Sequence, residues 1–399
     1  MIRGRAPHAI LLVGPAGVGK TTLAEDLAAG LLCTATDPAA RPCGACRACR
    51  LVAKDRHPDV HRLGPDGPGR QVVIGGPGSR VRGIRDLIAE LALMPVEGGA
   101  RVAIVESAQR MNEDAQAALL KTLEEPPDGV TIVLCADAEE PLLPTIRSRT
   151  ARLRLGPVGT RDVEAILADQ DGIEPALAAR LARLALGRPG LALTWARQPD
   201  ALRDRDELAR TLLDLLAARP SERLSAIRAA MARATTLGAI DGRRPELSTA
   251  SPTSATSRTR ASSKRASGPV TVGPDGTTAD RPATDDTAAA ADPGDDDEAG
   301  PARSPAAERR RAADALVTLW TDVARDLALC QRGLARSARD LGLLEETQAI
   351  AETIDRDSIT AFLDRLGRAG VLLAGNVAPE LVLDDLVLAW PHAGRPAVA

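Results

Sequence analysis

The 399-residue sequence predicts an α/β domain, a parallel sheet with helices on both faces, followed by all-helical segments. Three observations predict this. Between residues 8 and 155, short apolar runs of strand type (Ala9 to Val13, Arg101 to Val105, Val130 to Cys135) are each followed by turn residues or helical patterning. From about Gly156 onward no strand pattern recurs, and Leu and Ala fall at helical spacing. At 44% hydrophobic residues, a chain of this length can fill more than one core.

Taken in order, the first run leads into a helix over Thr22 to Leu32, and a later one spans Glu113 to Leu123. Helical patterns then cover Asp162 to Asp169 and Glu174 to Leu186, with Gly187, Pro189 and Gly190 breaking the next connection. Amphipathic helices continue over Pro199 to Ala234 and resume from about Ala313 to Trp390. Between them, 243–311 is rich in Ser, Thr, Ala, Pro, Gly and Asp and almost lacks Leu, Ile and Phe. A segment of that composition buries too little apolar surface to offset its ordering entropy, so it is expected to be a disordered insertion that acts as a passive linker.

Composition excludes several function classes. The chain has no Tyr, one Phe (Phe362) and three Trp (Trp195, Trp320, Trp390), so rows of aromatic side chains for stacking single-stranded bases are ruled out. Its formal net charge of −3 argues against coating nucleic acid by charge alone. No apolar run approaches the roughly 20 residues of a membrane span, and Ala9 to Val13 is too short for a signal peptide. A soluble, cytoplasmic chain is expected.

Gly14-Pro15-Ala16-Gly17-Val18-Gly19-Lys20-Thr21 fits the GxxxxGK[ST] pattern, and it follows a strand and opens a helix, the context that the motif requires. Glycines at 14, 17 and 19 let backbone N–H groups curl around phosphate oxygens, and the helix N-terminus adds positive potential. Lys20 is expected to reach the β- and γ-phosphates, the Thr21 hydroxyl to ligate Mg²⁺, and Thr22 to lie beside them at the helix start. Hydrolysis also needs carboxylates near Mg²⁺ and a group that polarises water. The strand Val102 to Val105 ends in Glu106-Ser107: Glu106 can help hold Mg²⁺, whereas Ser107 cannot act as a base. Intrinsic ATP turnover is therefore expected to be weak or absent.

Cys33, Cys43, Cys46 and Cys49 place four thiols in a short stretch of a chain expected to be cytosolic, where disulfides are rare. Four thiolates favour a structural tetrahedral Zn²⁺. An iron–sulfur cluster is the rival, although the Cys-Pro that usually follows such spacing is missing, and His57 is an alternative ligand to Cys33. Cys135 and Cys330 sit in apolar contexts and read as ordinary buried thiols.

These features combine with His57-Pro58-Asp59, with Asn112 to Pro127 (NEDAQAALLKTLEEPP), and with Ser148-Arg149-Thr150 after a strand and a loop. Together they resemble the bacterial clamp-loader ATPases of the AAA+ class, over roughly residues 7 to 235 and more weakly at Asn376 to Leu381. The resemblance implies an AAA+ core over 1–155 with a zinc module at 33–57, a small helical lid over 156–198, and a helical collar over 199–242 and 312–399. It also implies that Arg149 is a finger inserted into a neighbouring subunit's nucleotide site. Active motor subunits of the family carry Asp-Glu where this chain has Glu106-Ser107, and a lid arginine where it has Gly190, with Arg188 out of register. Keeping the finger while losing the hydrolytic groups resembles the stator type. That implies assembly with tau/gamma and delta subunits of DNA polymerase III, contact with sliding clamp and primed DNA through the complex, and no polymerase site in this chain. An active motor or a stand-alone P-loop NTPase is the alternative. The chain starts close to its first strand, where the family usually has an earlier helix and turn that contact adenine. Weak nucleotide affinity, or a start site assigned too late, follows from that.

Overall fold

Five parallel strands form one sheet in the order β2-β3-β4-β1-β5. They are β1 (Ala9–Val13), β2 (Val60–Leu63), β3 (Arg101–Val105), β4 (Val130–Ala136) and β5 (Ala151–Arg154). The computed structural model describes residues 7–66, 71–97, 99–240, 306–375 and 377–393. The central strands β3 and β4 are buried along their whole length, as the continuous apolar runs require when helices cover both faces. Ile10 and Leu12 point to one face and Ala9 and Leu11 to the other, following the two-residue period of a strand.

The face shared by Ile10, Leu12, Val102, Ile104, Val133 and Cys135 packs against α1 (Lys20–Leu32) and α2 (Arg47–Ala53). The opposite face packs against α3 (Ile84–Leu91), α4 (Glu113–Glu124) and α5 (Pro144–Ser148). The start of α4 is set locally: the Asn112 side chain accepts the Ala115 N–H at 2.9 Å, and Glu113 and Asp114 occupy the first turn, where the helix dipole favours acids.

A second core joins α6 (Thr160–Ala168), α7 (Pro175–Leu184) and α8 (Pro189–Arg197) through Val163, Leu167, Leu181, Leu191 and Trp195. The third core belongs to α9 (Pro199–Asp214), α10 (Pro220–Ile240), α11 (Ala306–Gln331), α12 (Leu344–Ala351), α13 (Arg356–Ala374) and α14 (Pro379–Ala389). Trp320, Phe362 and Trp390 meet at its centre with ring centroids 4.5 to 5.5 Å apart. Trp390 donates its Nε1–H to Leu212 O at 2.8 Å, so its polar edge is satisfied where it is buried.

Three expectations from the sequence need correction. Two edge strands, β2 (VHRL) and β5 (ARLR), carry no apolar run and were not legible as strands. Pro189 and Gly190 do not only break the chain; Pro189 is the first residue of α8, where its missing N–H costs nothing. The expected insertion over 243–311 lies outside the described residues as far as 305, but 306–311 are helical, because α11 begins at Ala306 rather than near Ala313. Asn376, in the C-terminal stretch of the resemblance, also lies outside the described residues.

Candidate functional site

The phosphate loop runs from the end of β1 to the start of α1. Gly17 (φ 78°) and Gly19 (φ 106°) both take left-handed backbone that only glycine adopts without strain. Gly19 is also the N-cap of α1 and has no side chain to bond the first helical N–H groups, which leaves them for an anion. Gly14 is required for a different reason: a Cβ there would lie 2.4 Å from Leu155 O, just past β5. Thr21 is half-buried and Thr22 exposed at the start of α1.

Lys20 is buried and folds back on the loop. Its Nζ donates to Gly14 O at 2.7 Å, Pro15 O at 2.9 Å and Asp137 Oδ1 at 2.7 Å. Asp137 directly follows β4 and is itself held. Gln109 donates from Nε2 to Asp137 Oδ2 at 2.7 Å, and the Asp137 N–H donates to Gln109 Oε1 at 3.2 Å. Ser107, at φ 54°, turns the chain sharply after β3 and delivers Gln109 in the short helix Ala108–Arg110.

Glu106, the expected Mg²⁺ ligand, sits at the end of β3 with Arg62 Nη1 3.5 Å from its Oε1. The same guanidinium reaches Glu25 of α1 at 2.9 Å and also pairs with Asp55. Arg62, Gln109 and Asp137 are the residues that sequence reasoning missed. One signal was available for Asp137: it stands just past the carboxyl end of a parallel strand, where such sheets place their ligand-facing residues.

The four cysteines converge. Their Sγ atoms all lie within 4.8 Å of one another, and those of Cys33 and Cys46 are 3.9 Å apart. A tetrahedral ion with Zn–S bonds of about 2.3 Å requires S···S separations of ~3.8 Å, so the set fits a metal ion. Backbone N–H groups point at the sulfurs: Cys46 N–H to Cys43 Sγ at 3.3 Å, Cys49 N–H to Cys46 Sγ at 3.4 Å, and Ala35 N–H to Cys33 Sγ at 3.5 Å. The N–H of Cys49, with others, pulls the Cys46 thiol down to about 5, and that of Ala35 likewise lowers Cys33. Burial pushes Cys49 up to about 12, so a bound cation would have to displace its proton.

His57 does not join the set. Its Nδ1 accepts the Asp59 N–H at 3.2 Å, and its Nε2 lies 3.7 Å from Glu97 Oε2. Asp59 is fully buried and accepts the N–H groups of Val96 at 2.7 Å and Glu97 at 2.9 Å. The His57-Pro58-Asp59 motif therefore braces the loop between α3 and β3. Cys135 is buried in the sheet, and burial pushes its thiol up to about 12; Cys330 is half-buried and shifted the same way. Cys135 matches the expected buried thiol, whereas Cys330 is only half-buried.

Arg149 is the C-cap of α5 and partly exposed. It pairs with Glu124 of α4 at 2.7 Å and donates to Thr145 O at 3.2 Å. None of these partners belongs to the phosphate loop. Gly190, at the start of α8, donates its N–H to Gly17 O at 2.8 Å, and a Cβ on it would lie 3.0 Å from that same oxygen. The second helical cluster thus touches the phosphate loop through a backbone group. Arg188 lies next to this contact and donates from Nε to Ala185 O at 3.2 Å.

Residues 1–159 match the family model described as DNA polymerase III, delta subunit. The chain is 42% identical over 147 residues to DNA polymerase III subunit delta' of Pseudomonas aeruginosa, covering 37% of this chain and 42% of that protein. It is 34% identical over 190 residues to subunit delta' of Haemophilus influenzae, covering 48% of this chain and 55% of that protein. Subunit gamma/tau of Mycobacterium tuberculosis is 35% identical over 176 residues, covering 43% of this chain and 28% of that protein. The matched stretches thus span about half the length of the delta' relatives.

Proposed function

We propose that this chain acts as a delta-prime-like stator of the DNA polymerase III clamp loader. It would assemble with tau/gamma and delta subunits, and through them serve the loading of the sliding clamp on primed DNA. The similarity of its N-terminal region to delta' and gamma/tau proteins supports the reading. The observation that carries it is Arg149. Its guanidinium, at the C-terminal end of α5, pairs with Glu124 on the surface and not with its own phosphate loop, which supports a role on another molecule. Supplied in trans, it would stabilise the charge that spreads over a transferring γ-phosphate.

In this reading the chain's own loop, with Gly14, Gly17, Gly19, Lys20, Thr21 and Thr22, holds nucleotide with Mg²⁺ but turns it over weakly. Glu106 is a single acid already shared with Arg62, and Ser107 follows it. Cys33, Cys43, Cys46 and Cys49 hold one structural zinc ion, which ties the segment after α1 to α2. The lid comprises α6 to α8, and the collar α9 to α14.

Co-purification with tau/gamma and delta subunits, together with ATP turnover by the isolated chain, tests the proposal. The stator reading expects a stable complex and negligible turnover by the chain alone. Sustained turnover by the isolated chain would favour the motor reading, and failure to join the complex would overturn both.

A further inference from the structure

We propose that Asp137 is an acidic latch on the phosphate loop, one that holds Lys20 away from incoming phosphate and biases the site against triphosphates. The proposal rests on the reading of this loop as a nucleotide site. An ammonium group has three protons to donate, and here all three are taken, by Gly14 O, Pro15 O and Asp137 Oδ1. A phosphate that is to use Lys20 must therefore displace one of these acceptors. The two carbonyls are neutral parts of the loop itself. Asp137 carries a full charge and comes from a different strand.

The latch is built rather than incidental. Gln109 donates to the far oxygen of Asp137 at 2.7 Å and accepts its backbone N–H at 3.2 Å, so Oδ2 is fixed by Gln109 while Oδ1 faces Lys20. Its base is the end of β4, and Ala136 O accepts the Gly14 N–H at 3.2 Å, which fixes the distance between latch and loop. The loop cannot easily retreat, because Leu155 O backs Gly14 and the N–H of Gly190 holds Gly17 O.

The electrostatics then decide selectivity. A carboxylate beside the lysine neutralises the charge that would attract phosphate, and it repels the phosphate oxygens directly. Each additional phosphate adds negative charge near Asp137, so a nucleoside triphosphate is penalised more than a diphosphate. In Asp137→Asn the side chain keeps its shape and its bond to Gln109 but loses the charge.

The test is direct titration of the full chain with MgATP and MgADP, for wild type, Asp137→Asn, Gln109→Ala and Lys20→Ala. The latch predicts that Asp137→Asn tightens MgATP binding by about ten- to hundredfold, the scale of one charged hydrogen bond, and MgADP binding by less. Gln109→Ala should tighten MgATP binding by a smaller factor, and Lys20→Ala should weaken both nucleotides. If Asp137→Asn binds MgATP equally or more weakly while Lys20→Ala still weakens binding, the latch is wrong and Asp137 serves the bound nucleotide or its metal instead. If neither wild type nor Asp137→Asn binds any nucleotide, the nucleotide reading fails and the latch falls with it.

Discussion

Asp340 joins α7 to α9 through charge. Its Oδ2 accepts from Arg205 at 2.6 Å, while Oδ1 accepts from Arg180 at 3.3 Å and from the Gly342 N–H at 3.0 Å. Arg205 is buried and lies 6.0 Å from the ring centroid of Trp195. Removing the carboxylate takes away the closest partner of a buried guanidinium and leaves it Asp206 at 3.3 Å, with the Asp326 charge also near. Asp340→Ala is expected to cost about 3–5 kcal/mol, read from the urea midpoint, and a loss near zero would contradict this account of the network. Burial pushes the Asp340 carboxyl up, but Arg205 and Arg180 more than offset it and leave it below the usual carboxylate range. Its contribution is therefore full above the unfolded carboxylate's pKa of about 4 and is lost as pH falls through the lowered value. Asp326 beside it is shifted upward by burial and works in the opposite direction, so the comparison that isolates Asp340 is wild type against Asp340→Asn across pH. The stability difference between them should shrink on acidification. The partners of Asp340 and Asp137 could not be read beforehand, even though Asp137 stands just past the end of a legible strand. Each acid takes its role from a partner far along the chain, 160 positions away for Asp340 and 117 for Asp137.

Legibility from sequence followed burial at the scale of elements. The strands β1, β3 and β4 lie inside the sheet and read as continuous apolar runs, whereas the edges β2 and β5 are interrupted by His61 and Arg62, held in ion pairs, and by the exposed Arg152 and Arg154. The cysteine cluster was legible because its four thiols lie close together in the chain; its surroundings were not, since the bracing of the adjacent loop by Asp59 is a long-range contact. Two predictions belong here. Elemental analysis should find about one zinc per chain, and Cys46→Ser should lower that content and the thermal stability together. A visible charge-transfer band with iron present would instead identify the iron–sulfur rival. Gly190→Val, which would crowd Gly17 O, should loosen α8 from the phosphate loop and change nucleotide affinity while α9 to α14 keep their stability. Unchanged affinity would show that the contact does not bear on the loop.

On the scale of the whole molecule, one sheet domain carries three separate features: a phosphate loop, a cysteine cluster and an outward arginine. The helices after it supply two further cores, and no helix among the described residues is long and apolar enough to cross a membrane. The stator account joins these parts by one statement, that the chain's chemistry is exerted on a neighbour. The deciding measurement is ATP hydrolysis by a complex reconstituted from this chain with tau/gamma and delta, clamp and primed DNA, comparing wild type with Arg149→Ala. The account predicts that hydrolysis depends on this chain and falls at the site facing Arg149 by about tenfold or more in the mutant, with assembly intact. An assembled complex whose hydrolysis is unchanged by Arg149→Ala would contradict it.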